Sequence, residues 1–195
     1  MEKLVTMCAV KFAALDAYGM GIEMEGGKPG WYDALNGLAG LAGSSMAETY
    51  ELDRMMQFVL EALAEDETSV DLPQEAAKLL EELVQVNREN KPSGEGEQMT
   101  FWNRINDAKE AYRAQTYEKL SGERTSLSAS TLQEWISELK NTVRRGIEGA
   151  MAIGCLNSPL PPTYFYYEIT EYTEDEEGIH PIHMRQCTMP AFLEG

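Results

Sequence analysis

Apolar residues along this chain recur mostly three and four positions apart, the spacing that lays them along one face of a helix. Residues 2–17 carry apolar groups nearly all the way round, so a helix here is expected to be buried on most faces. It begins with no capping residue ahead of Leu4. Ser45 and Glu48 then have the spacing of a capping box. Met46, Tyr50, Met56, Val59, Leu60 and Leu63 follow with helical period until Glu65 to Thr68 close the element. Asp71 and Pro73 open another helix, whose stripe is Ala76, Leu80, Leu83 and Val84. The stretch from Asn90 to Gly96, with one proline and two glycines, reads as a break. A longer helix is expected from Met99 to Leu120, with Phe101, Ile105, Ala108 and Tyr112 on one side and Ser121-Gly122 as its stop. The last starts near Ser130 and shows Leu132, Trp135, Ile136, Leu139, Val143 and Ile147.

Beyond the three prolines between Gly154 and Pro162 the period changes. Residues 163–172 are rich in aromatic and β-branched side chains, as strands are. The acidic turn Glu174 to Gly178 connects them to a return strand around His183 to Met189, which Pro181 keeps short or at an edge. The expectation is therefore a mainly α chain of about five helices, residues 1–160, followed by a β-hairpin extension over residues 161–195.

Charge narrows the partners. The 195 residues carry 33 acidic against 16 basic side chains, a net charge of -17. Such a surface repels phosphate backbones and anionic lipid, which argues against nucleic-acid or membrane-surface binding. Cys8, Cys155 and Cys187 lie far apart without metal or redox spacing and read as free thiols of a reducing compartment. With no signal-peptide pattern and no apolar run of about 18 residues, a soluble cytoplasmic protein is expected.

The richest chemistry lies in the interruption before the second helix, Glu23 to Gly37. Gly26, Gly27 and Gly30 let a backbone approach a ligand closely, and Pro29 stiffens the bend. Trp31 and Tyr32 present flat faces with polar tips, suited to a sugar ring. A carboxyl held against them, Asp33, is partly desolvated, which raises its pKa and makes it a candidate general acid. The plainer reading is an exposed loop with an ordinary turn aspartate. Gly26-Gly27-Lys28 lacks the spacing of a nucleotide-binding loop and reads as a tight turn. Gly43-Ser44-Ser45 at a helix start could hold an anion near Asp33, although simple capping explains it as well. Glu23 and Glu25 either point into this site or are solvated. His180 and His183, three apart on a strand, face opposite ways, so no metal site is expected there.

Trp31-Tyr32-Asp33-Ala34-Leu35-Asn36 resembles the acid-bearing motif of the cellobiose phosphorylase family, usually Trp-Asn-Asp-Gly-Met-Asn. That family includes chitobiose, cyclic β-1,2-glucan and 1,2-β-oligoglucan phosphorylases. The longer run from Gly27 to Leu38, then Gly43-Ser44-Ser45-Met46, is similar to large bacterial members of the group. Tyr32, Ala34 and Leu35 depart from the usual motif and bear on sugar specificity.

The resemblance implies part of an (α/α)6 toroid with the catalytic residue Asp33 protonating the glycosidic oxygen. Inorganic phosphate, a co-substrate, then attacks the anomeric carbon and inverts it to an α-sugar 1-phosphate. No metal or organic cofactor is implied. Since phosphate is itself the nucleophile, the second carboxylate of an inverting hydrolase is not needed. By position, Trp31 and Tyr32 would contact the sugar, with Lys28, Asn36 and Glu25 as polar substrate contacts. Partners would be a β-linked gluco-oligosaccharide and phosphate, and a homodimer of a full-length parent is left open. Family members are several times longer, so the chain is expected to be a fragment holding about half the toroid, with an apolar open side and no activity alone. The competing expectations are a toroidal inverting hydrolase, with Glu23 or Glu25 as base, and a non-catalytic helical interaction module.

Overall fold

The computed structural model describes residues 1–23, 43–65, 68–90, 92, 97–154, 160–176 and 178–188. Among these the protein is mainly helical, with five helices and a C-terminal antiparallel hairpin. In chain order the elements are α1 (Glu2–Phe12), β1 (Ile22–Glu23), β2 (Gly43–Ser45), α2 (Met46–Glu65), β3 (Ser69–Pro73), α3 (Gln74–Glu89), α4 (Glu97–Thr116), β4 (Arg124–Ser128), α5 (Ala129–Ile153), β5 (Tyr164–Asp175) and β6 (Gly178–Thr188).

The helical stripes converge on one core. Phe12 of α1, Met56 of α2, Leu80 of α3, Phe101 of α4 and Ile136 of α5 are all completely buried. Phe12 and Phe101 meet edge to face, with ring centroids 6.4 Å apart, a geometry that adds about 0.5–1.5 kcal/mol to their burial. Polar ties cross the same helices. Arg88 of α3 binds both carboxylate oxygens of Glu138 on α5, at 2.7 and 2.8 Å. Lys140 of α5, buried against α2, pairs with Asp53.

Two helix ends need correction. Helix α1 ends at Phe12, not residue 17, and leaves Met7 and Val10 exposed. Ala13 caps it, and three residues on, the Asp16 side chain captures the backbone of the following turn. Pro73 is the N-cap of α3, as expected, and the residues around Asp71 just ahead of it form β3, paired antiparallel with β4 from Ser69↔Ser128 to Pro73↔Arg124. This pair buries Val70 and Leu72 on one face, and neither strand is long enough for its alternation to stand out in sequence. Helix α4 stops at Thr116, before Ser121-Gly122. Ser128, two residues ahead of the expected start, caps α5 by accepting from the Thr131 N–H, worth about 1 kcal/mol.

The second sheet has the order β1-β2-β5-β6, antiparallel throughout. Pro181 lies opposite Tyr172 in β6, the edge strand, where its missing N–H is tolerated. The hairpin is thus stitched through β5 to β2, a strand preceding the second helix. No helix among the described residues is long and apolar enough to cross a membrane.

Candidate functional site

Strands β1 and β2 are the two roots of residues 24–42. Ile22 pairs with Ser45 and Glu23 with Ser44, so the chain enters and leaves this stretch side by side. The expected site residues Glu25, Lys28, Trp31, Tyr32, Asp33 and Asn36 lie outside the described residues. What is described is the polar cluster built around the roots.

Its centre is Asp16, which has no exposed surface. Oδ1 accepts from the N–H groups of Tyr18 and Met20, both at 3.0 Å. Oδ2 accepts from the Gly21 N–H at 2.7 Å, from the Ser44 hydroxyl at 2.7 Å and from the Tyr167 hydroxyl. Backbone bonds from Asp16 N–H to Gly21 C=O and from Gly19 N–H to Asp16 C=O close the turn. The donors therefore come from three separated stretches: the turn after α1, strand β2 and strand β5. Burial pushes the Asp16 carboxyl above its ordinary range, while the donors pull it back down. The Tyr167 hydroxyl is driven well above its ordinary value by burial and by the neighbouring Asp16 charge.

The turn needs its glycines. Gly19 has a φ of 66°, a left-handed conformation that side chains disfavour. A Cβ on Gly21 would sit 2.2 Å from the Ser44 oxygen, and one on Gly146 of α5 would sit 1.7 Å from the Gly19 carbonyl oxygen. Tyr18 stacks on Tyr167 with centroids 6.0 Å apart and donates to the Met184 carbonyl at 2.7 Å, pinning β6 as well.

Glu23 sits beside this cluster. Its Oε1 accepts from the Trp102 indole N–H and its Oε2 lies 3.5 Å from the Lys109 ammonium, both on α4. Burial raises its pKa; Lys109 and Trp102 oppose the rise, and the nearby Asp16 charge adds to it. Asp16 has both oxygens filled and can only hold things in place. Among the described residues, the Glu23 Oε2 is held only by the Lys109 ammonium at 3.5 Å.

Among the described residues, Ser44 and Ser45 give no support to the anion site set beside simple capping above. They belong to β2, the Ser44 hydroxyl is taken by Asp16, and the Met46 N–H at the start of α2 is bonded to the Thr163 carbonyl. His180 and His183 are exposed and lie against Asp175 and Glu171. Sequence reasoning missed Asp16 by placing it inside a helix, although an aspartate followed by Gly19 and Gly21 is a turn signal. Its union with Ser44 and Tyr167 leaves no trace at sequence level.

These features define a mainly helical protein with a buried carboxylate holding the roots of its glycine-rich segment. No protein-family model matches the chain, and comparison with curated proteins finds no match either.

Proposed function

We propose that the chain is the acid-bearing portion of an inverting glycoside phosphorylase of the cellobiose phosphorylase type. The observation that carries this reading is the run from Gly27 to Leu38 followed by Gly43-Ser44-Ser45-Met46, whose length makes it far more specific than the hexad around Asp33 alone. Asp33 gives its proton to the glycosidic oxygen. A phosphate oxygen attacks the anomeric carbon from the opposite face, the bond to the leaving sugar breaks, and an α-sugar 1-phosphate results. Trp31 and Tyr32 hold the sugar ring, and Lys28, Asn36 and Glu25 make polar contacts to substrate. In this reading the helices belong to an (α/α)6 toroid of a longer cytoplasmic enzyme. The helical setting and the pairing of Glu23 with Ser44 support it, since a proton donor needs fixed ends to its segment.

The test is the Asp33→Asn variant of the full-length enzyme, assayed on β-linked gluco-oligosaccharides with phosphate. Sugar 1-phosphate formation is expected to fall about a hundredfold or more; unchanged turnover removes Asp33 from the chemistry. A second reading, an inverting hydrolase with Glu23 as base, is favoured by the burial of Glu23 and its loosely held Oε2. Free sugar released equally well without phosphate would select it.

A further inference from the structure

Burying an aspartate completely is costly, and apolar side chains of similar volume would pack the same space at lower cost. Five donors compensate Asp16, leaving it no acceptor site for a ligand. What it accomplishes is visible in the strands it touches. Strand β2 is the three residues Gly43-Ser44-Ser45, flanked by the two-residue β1 on one side and β5 on the other. It has no apolar residue, so hydrophobic pattern cannot specify its register, and a one-residue slip would exchange its two faces. Such a slip moves the chain about 3.3 Å along the strand.

The Asp16 carboxylate distinguishes Ser44 from Ser45. It binds the Ser44 hydroxyl, and the same oxygen accepts from Tyr167, whose hydroxyl lies 2.8 Å from that of Ser44. Tyr167 lies one residue beyond the β2–β5 ladder, which pairs Gly43 with Tyr166, Ser44 with Phe165 and Ser45 with Tyr164. The other root is fixed to the same turn: the Glu23 N–H donates to the Ala14 carbonyl at 2.7 Å, and Leu15 bridges to Ile22.

We propose that Asp16, acting through Ser44 and Tyr167, is a positioning residue that sets the register of both strands at the roots of residues 24–42. The consequence for turnover rests on the phosphorolysis reading above; the register lock itself does not. A donor displaced by about 1 Å loses on the order of a hundredfold in rate, and because Trp31 and Tyr32 lie between the same roots, a slip would lower both the rate and the sugar affinity.

The experiment uses Ser44→Ala and Tyr167→Phe, the latter keeping the ring that stacks on Tyr18. Amide hydrogen exchange is read at Glu23, Ser44 and Ser45 against Ile136 and Leu139 of α5, and sugar 1-phosphate formation is measured on the full-length protein. Exchange at the roots is expected to rise about tenfold or more with α5 unchanged, an opening free energy lower by about 1.4 kcal/mol, and kcat/KM for the sugar to fall. Root exchange equal to wild type in both variants overturns the lock. Faster root exchange with unaltered kcat/KM overturns the positioning role and leaves phosphorolysis standing. Should the wild-type protein form no sugar 1-phosphate, phosphorolysis falls and the exchange result alone decides the lock.

Discussion

At Asp16 every acceptor position is used, whereas Glu23 holds Lys109 only at 3.5 Å, and this difference assigns them different work. Glu23 binds its proton more tightly in the folded protein than in the unfolded chain, because burial disfavours its charge. Its protonation therefore favours folding. That contribution is complete below the ordinary value of 4.5 and is lost as pH rises through the raised one. Glu23→Gln removes it. The stability advantage of wild type over this variant is expected to shrink as pH climbs from 4.5, and urea midpoints measured at successive pH values check it; a constant difference would contradict the shift. Glu23 was legible in sequence as a candidate. Asp16 was not, because its helical-looking neighbours hide a side chain that folds back onto its own backbone.

Helix α5 shows how one element accommodates another. Its stripe of Leu132, Trp135, Ile136, Leu139, Val143 and Ile147 is read directly from spacing; Trp135 and Ile147 are partly buried and the other four fully. Its glycines carry the information that spacing lacks. Gly146 faces the backbone of Gly19, where an added Cβ would overlap the carbonyl oxygen, while one on Gly149 meets the flexible end of Met20 at 2.8 Å. Gly146→Ala is expected to cost about 1–3 kcal/mol or more, since backbone has to move. Gly149→Ala is expected to be close to neutral, because a shifted Met20 is offset by the roughly 1 kcal/mol gain in helix propensity. Chemical denaturation of the two variants compares them directly, and equal losses would refute the contact. The β3–β4 pair marks the opposite limit. Ser69–Pro73 and Arg124–Ser128 are each too short and too polar to announce a strand, and only their mutual pairing makes them one.

Over the whole molecule a net charge of -17 opposes compaction. Several exposed ion pairs, among them Arg88 with Glu134 and Arg185 with Glu168, offset this locally without changing the balance. Raising ionic strength from about 0.01 to 0.15 M shortens the screening length from about 30 to 8 Å. The melting temperature is therefore expected to rise with salt across that range; a fall would mean that the ion pairs outweigh the long-range repulsion. Spacing determined which helices form and their core stripes, though not where α1 and α4 end, and aromatic and β-branched content determined the hairpin, because these follow from local pattern and burial of one face. The run around Asp33 likewise stands in the primary sequence. Tertiary structure decided how the hairpin joins the rest through β2, and that Asp16, Ser44 and Tyr167 meet. Pairing between residues more than a hundred positions apart is chosen by which buried polar groups can satisfy one another, and no local pattern encodes that.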